Sequence, residues 1–243
     1  MIHIAVKSLG LDELGPFSPA DRIIEYRLRD TTVRRLVDRT VVGFVEVTAS
    51  EAVAPGGGSV AALVGALGAA LGTMAANLSA HKRGWEDRWE EFSTWAERGQ
   101  SIKDELLALV DEDTAAFNRV MVALGMPKST SEEKAARTEA LEMANRGALE
   151  VPFRAMKAAA GAFPLLRAMA NQGNPASVSD AGVGVLCVRT AVLGAWLNVR
   201  TNLAGLKHPE HVASLIAEGK LIAAAAGKSE AEILGIVERK LTQ

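Results

Sequence analysis

The sequence predicts an all-α protein, a multi-helix bundle preceded by a short extended N-terminal remnant, and three observations carry that expectation. Alanine fills 42 of the 243 positions, and alanine is the best helix former but too small to fill the space over a sheet. Six Phe, four Trp and one Tyr are the only aromatic residues, so the elements must approach one another closely. From Thr32 onward, apolar residues recur every three or four positions rather than in alternation.

The elements follow in order. Residues 1–30 read as a remnant of another domain. Ile2, Ile4 and Val6 alternate, Gly15-Pro16 and Ser18-Pro19 mark a turn, and residues 23–28 suit a second extended segment. The main domain takes residues 31–243. Val33, Leu36, Val37, Val41, Phe44 and Val45 share a helical face, and a loop over 51–58 leads to Ser59, a good N-cap. The next helix carries Gly65, Gly68 and Gly72, small residues that admit a second helix from the same chain or from another copy. A long helix over 87–124 has Trp85, Trp89 and Phe92 at its start. It continues through Leu106, Leu109, Val110, Phe117, Val120 and Leu124 until Gly125 and Pro127 end it. Thr130 and Glu133 suit a capping box for a helix that should bend or restart at Pro152, with Gly173 closing the segment. Ser179 or Asp180 opens a helix through Asn202, and Pro209 begins the last, ending near Leu241.

Composition narrows the function. With 49% apolar and 23% charged residues the chain is globular. Its 27 basic and 29 acidic residues leave a net charge of −2, which gives no field for nucleic acid or an anionic membrane. Residues 60–76 are apolar but stop at Asn77, short of the roughly 20 residues of a membrane span, so a buried helix is expected there. One cysteine, Cys187, forms no internal disulfide, and no secretory pattern opens the chain, which suits the reducing cytoplasm. Cys187 lies between apolar neighbours and reads as packing. His208 and His211 lack the further ligands of a metal site, so none is expected.

Three constellations offer chemistry. Pro55-Gly56-Gly57-Gly58-Ser59 precedes a helix, where bare backbone N–H groups and the helix field suit an anion; a flexible linker explains the glycines equally well. In Asp111-Glu112-Asp113, only Asp113 shares the phase of Leu106, Leu109, Val110 and Phe117. Apolar surroundings raise a carboxyl pKa, as suits a group that accepts and returns a proton near neutrality. A buried Asp tied to a helix end or an arginine fits the same phase. Third, Gly173-Asn174-Pro175 with Ser177, Ser179 and Asp180, and Asn198 with Asn202 four residues on, supply groups for helix capping or for a planar heterocycle.

Taken together these residues resemble a family. Ala54-Pro55-Gly56-Gly57-Gly58-Ser59, the run Val110-Asp111-Glu112-Asp113-Thr114-Ala115-Ala116-Phe117, and Met126-Pro127-Lys128 with Glu132-Glu133-Lys134 stand in family order. So do Gly173-Asn174 with Ser179-Asp180, and Gly194-Ala195-Trp196-Leu197-Asn198-Val199 with Asn202. The resemblance is to the formiminotetrahydrofolate cyclodeaminase/cyclohydrolase family over residues 32–241. Ser8-Leu9-Gly10-Leu11-Asp12-Glu13-Leu14, Pro16-Phe17 and Arg22-Ile23-Ile24-Glu25-Tyr26 resemble the end of the formiminotransferase domain that precedes the cyclodeaminase in bifunctional forms.

The resemblance implies an all-α domain that dimerises through helices and binds a reduced folate, with or without a polyglutamate tail. It implies conversion of 5-formimino-tetrahydrofolate to 5,10-methenyl-tetrahydrofolate with release of ammonia, a step of histidine degradation, with no cofactor beyond the folate. The second aspartate of Asp-x-Asp, here Asp113, is then the catalytic group. Pro55, Gly56, Gly57, Gly58 and Ser59 supply backbone contacts, and Asn174, Ser179, Asp180 and Asn198 supply side-chain contacts. Lys128 and Arg137 are candidates for the glutamate tail, although a solvated helix face accounts for them too. A formiminotransferase is a possible partner, a homodimer is expected, and larger rings should be lost in the short chain. A methenyltetrahydrofolate cyclohydrolase and a non-catalytic folate-binding or assembly module stay open as alternatives.

Overall fold

The computed structural model describes residues 35–203 and 209–242, with scattered positions before residue 35. The chain divides into two compact units, residues 1–38 and 39–243. In the first, Leu36–Asp38 forms a 3-10 turn beside an Arg35–Asp38 ion pair of 2.7 Å. Of the extended segments expected at 2–6 and 23–28, Val6, Ile23 and Ile24 are described, and Val6 and Ile24 are helical rather than extended; the rest lie outside the described residues.

In the second unit the described residues form helices and no strand. These are α1 (Val41–Ala49), α2 (Gly57–Ala80), α3 (Trp89–Leu124), α4 (Ser131–Ala160), α5 (Phe163–Gln172), α6 (Val178–Asn202) and α7 (Pro209–Leu241). Thr40 caps α1 through Gly43 N–H at 3.0 Å, so among the described residues the α-helical period expected from Thr32 begins at Val41. Helix α2 is the hub, packed on α3 and α6. Ala62, Ala69, Ala75 and Ala76 are almost completely inaccessible along it.

Close approach explains its glycines. A Cβ on Gly68 would lie 2.8 Å from the Gly184 carbonyl of α6, and one on Gly72 would lie 2.9 Å from Leu165 of α5. The Gly65/Gly68/Gly72 face is therefore filled by helices of the same chain and not by one from another copy. Leu106, Leu109 and Val110 of α3, Leu165, Leu166 and Met169 of α5, and Val185, Val188 and Val192 of α6 complete the core. Each large apolar side chain so buried contributes about 1.5–3 kcal/mol.

Two boundaries differ from expectation. Pro152 sits inside α4 without ending it. Proline withdraws the N–H that would bond the carbonyl four residues back, and that carbonyl, on Ala148, accepts instead from Asn202 Nδ2 at 2.7 Å. The break falls at Gly161, and Pro164 occupies the first turn of α5, where a missing N–H costs nothing. Helix α6 starts at Val178, after a 3-10 turn over Pro175–Ser177 that is capped by Asn174. The expected capping box of α4 is present, with Thr130 and Glu133 exchanging bonds. At the start of α3 Trp85 stacks on Phe92, centroids 5.6 Å apart, while Trp89 is exposed.

Candidate active site

At the N-terminal end of α2 a cleft of about 400 Å³ opens between four segments. The loop and first turn of α2 contribute Val53, Ala54, Gly56, Gly57 and Gly58, and α3 contributes Asp113, Thr114, Phe117 and Val120. Asn145 and Ala148 come from α4, and Asn198, Thr201 and Asn202 from α6. Asp113 is the one ionisable side chain among these lining residues. The rest of the wall is backbone, hydroxyl, carboxamide and apolar surface.

The local sequence creates this arrangement. Gly56 is the N-cap of α2 and supplies no side-chain cap, so the N–H groups of the first turn, at the positive end of a long helix, are left to partners from elsewhere, and Asp113 takes that of Ser59. Pro55, buried, precedes it through a cis peptide bond with Ala54. Ser59, expected as the N-cap, lies instead three residues inside the helix and is fully buried. Its hydroxyl donates toward the Val110 carbonyl (2.9 Å) and Asp113 Oδ2 (3.0 Å) and lies 3.2 Å from Thr114 Oγ1. Gly58 is the floor under Asp113: a Cβ there would fall 2.6 Å from the carboxyl carbon, inside any tolerable contact. A Cβ on Gly57 would fall 3.2 Å from Asn198 Nδ2.

Burial pushes the Asp113 pKa above that of an ordinary aspartate, and the Ser59 hydroxyl and backbone N–H pull it back only partly. Its neighbours serve otherwise. Glu112 pairs with Arg154 of α4 at 2.7 Å, and neither is among the residues lining the cleft. A lone carboxyl of raised basicity, beside an apolar wall at the N-terminal end of a helix, is equipped to take a proton and give it back. A larger hollow of about 550 Å³ lies between α3, α5 and α7 around Trp95 and Phe163. Its Arg167 is tied to Glu232, and it places no carboxyl or imidazole for proton transfer.

Residues 40–220 match the family described as Formiminotransferase-cyclodeaminase. The chain belongs to this family. It is 36% identical over 231 residues to the mouse formimidoyltransferase-cyclodeaminase, an alignment covering 92% of this chain and 43% of that protein. The chain thus spans less than half the length of that relative. It is 33% identical over 204 residues to the methenyltetrahydrofolate cyclohydrolase of Methylorubrum extorquens, covering 84% of this chain and 98% of that one. The fold resembles the crystal structure of formiminotetrahydrofolate cyclodeaminase from Thermotoga maritima with a TM-score of 0.68 at 24% identity, over 84% of this chain and 96% of that one.

Within this member of the cyclodeaminase family the expected site residues separate into groups. Asp113, Gly56, Gly57, Gly58 and Asn198 line one cleft, with Pro55 and Ser59 directly behind it. Asn174, Ser179 and Asp180 are not brought there. The Asn174 N–H donates to Ser79 Oγ at 2.7 Å, and Ser79 lies twenty residues along α2 from Ser59, roughly 30 Å away. Asn174 Oδ1 accepts from Ala176 N–H at 3.2 Å, and Asp180 stands in the first turn of α6, so within one chain this motif shapes a helix start. Lys128 and Arg137 stand beyond the C-terminal end of α3, outside the cleft lining, where Arg137 donates to the Leu124 carbonyl at 3.2 Å.

Thr114, Phe117, Asn145 and Thr201 join the site without a sequence signal as ligand contacts, and Asn202, read together with Asn198, joins it as well. Asn202 carries the one readable signal, four residues after Asn198 on the same helix face. Asn145 carries none, because its place depends on how α4 crosses α3.

Proposed function

We propose that the chain is a formimidoyltetrahydrofolate cyclodeaminase, an ammonia-lyase that converts 5-formimino-tetrahydrofolate to 5,10-methenyl-tetrahydrofolate. The observation that carries this reading is Asp113, the sole ionisable group on the cleft wall, half-buried and raised in pKa. Ring closure needs a base and then an acid at the same carbon. N10 of the folate attacks the protonated formimino carbon, and a C–N10 bond forms as the C=N π electrons move to the imino nitrogen. The Asp113 carboxylate takes the N10 proton, leaving a neutral aminal. Asp113 then returns that proton to the amino group, the C–NH₂ bond breaks, and ammonia departs with N5=C–N10⁺ left behind. Protons balance over the two steps, so one carboxyl suffices. Ionised, it also offsets the amidinium charge of substrate and product.

The cleft walls suit a folate in this reading. Phe117 and Val120 offer apolar surface to a pterin and aminobenzoyl group, while Asn145, Asn198 and Asn202 offer carboxamides to ring nitrogens and oxygens. The glutamate tail leaves along α3 toward Lys128 and Arg137. Two helices give the reading its assembly. Leu67, Met74 and Leu78 of α2 and Val183, Leu186, Leu193 and Leu197 of α6 are exposed, and no charged residue interrupts α2. A homodimer formed on this face, and not on the glycine face, would remove it from water. In this reading the enzyme works in the cytoplasm on the product of a formiminotransferase, in histidine breakdown.

A second reading is favoured by one observation: the relative matched over 98% of its own length is a methenyltetrahydrofolate cyclohydrolase. There water attacks the methenyl carbon, Asp113 takes one of its protons and returns it to N5 as the C–N5 bond breaks, and the remaining hydroxyl proton passes to solvent as the formyl group forms on N10. Offering 5-formimino- and 5,10-methenyl-tetrahydrofolate separately, while following ammonia and the methenyl absorbance, decides between them. Ammonia release with growth of the methenyl band supports the cyclodeaminase. Loss of the methenyl band without ammonia supports the cyclohydrolase, and inertness toward both refutes an enzymatic role.

A further inference from the structure

We propose that Ser59 is a positioning residue that switches its single hydroxyl proton between Asp113 Oδ2 and the Val110 carbonyl as Asp113 loses and gains its own proton. The inference deepens the reading of Asp113 as proton shuttle and rests on it only for its catalytic consequence. Its basis is a hydrogen count. Ser59 Oγ lies within bonding distance of Val110 O, Asp113 Oδ2 and Thr114 Oγ1, yet a serine hydroxyl carries one hydrogen. The Val110 carbonyl only accepts, and so does Asp113 when ionised. The two compete for one hydrogen, and Thr114 is the neighbour able to donate to Ser59 in turn.

The competition resolves by charge. A hydroxyl bond to a carboxylate is about twice as strong as one between neutral groups, so the hydrogen turns to Asp113 when it is ionised. Once Asp113 is protonated the advantage disappears, and Val110 at 2.9 Å holds the hydrogen instead. A protonated Asp113 can then donate from Oδ2 to Ser59 Oγ, so the carboxyl stays tethered in both states. Buried water is not needed to follow the proton. Ser59 is sealed at 0% exposure, and its hydroxyl has no role toward solvent.

No other charge competes for this control among the lining residues. The first turn of α2 has no ionisable side chain, α6 presents Asn198, Thr201 and Asn202, and α4 presents Asn145 and Ala148. On α3 the adjacent carboxylates are Asp111 and Glu112, and the latter is held by Arg154. The hydroxyl is thus placed to counter burial and keep Asp113 from becoming too weak an acid to ionise near neutrality.

The test is a carbon-13 NMR titration of the Asp113 carboxyl in the full chain, assigned with Asp113→Asn and repeated in Ser59→Ala and Thr114→Val. Ser59→Ala should move the titration up by about half to one pH unit, a roughly three- to tenfold fall in the ionised fraction below the midpoint. Thr114→Val should move it the same way by less, and it serves if Ser59→Ala does not fold. Unmoved or lowered titration in a folded variant overturns the switch. The acid limb of kcat/KM is then compared. A limb that follows the NMR shift, with KM unchanged, supports both the switch and the shuttle. An NMR shift with no change in the limb keeps the switch and removes Asp113 from the proton transfer.

Discussion

The two ends of α2 use the same residue types for opposite purposes. Near each end a fully buried serine meets a polar residue from a distant segment: Ser59 meets Asp113 at one, Ser79 meets Asn174 at the other. At the Ser79 end the accounts close. Ser79 Oγ donates to Ala75 O at 2.6 Å and accepts the Asn174 N–H, and Asn174 Oδ1 caps its own turn. At the Ser59 end they do not close, because two acceptors compete for one hydroxyl hydrogen and a carboxyl of raised pKa faces a cleft. Satisfied polar groups build structure, whereas a charge kept poorly solvated beside an opening is a means of doing chemistry.

Several substitutions break or sharpen this contrast. Gly58→Ala puts a Cβ against the Asp113 carboxyl carbon and should displace it, lowering kcat about a hundredfold while circular dichroism shows unchanged helix content. Asn202→Ala strands the Ala148 carbonyl opposite Pro152 and should cost about 1–3 kcal/mol in urea unfolding. Gly57→Val crowds Asn198 and should raise the calorimetric Kd for the folate about tenfold, near 1.4 kcal/mol, with little change in the melting temperature. The smallest effect belongs to the far end: Asn174→Ala removes a cap and should cost about 1 kcal/mol of stability with kcat/KM unchanged. A large loss of activity from Asn174→Ala would show that the far end takes part in the site after all.

What the sequence disclosed follows from the range of the interactions. Helices with strong local signals were legible: the Thr130–Glu133 box, the Gly125 stop and the Pro209 start all reflect bonds within a few residues. Asp113 was legible because helical phase is itself local. Pro152 suggested a restart that does not occur, because the carbonyl it leaves without a helical partner accepts from Asn202, fifty residues away. Ser59 misled because its hydroxyl has a better partner across the helix pair than the cap it would make. The Gly173–Asp180 motif suggested ligand contacts by composition, but only the lengths of α2 and α6 place it at the other end.

Asp113→Asn, measured beside Asp111→Asn, tests the central claim most directly. The account predicts that Asp113→Asn loses about 10²–10⁴-fold in ammonia release from 5-formimino-tetrahydrofolate while still binding the folate, and that Asp111→Asn stays active. The same sample carries a sign check. A carboxyl whose folded pKa is raised gives stability below its unfolded pKa that is lost as pH rises through the folded value. Asp113→Asn should therefore melt higher than the parent at neutral pH, with the gap closing below the ordinary aspartate range. An Asp113→Asn protein that releases ammonia at the parent rate would contradict the account.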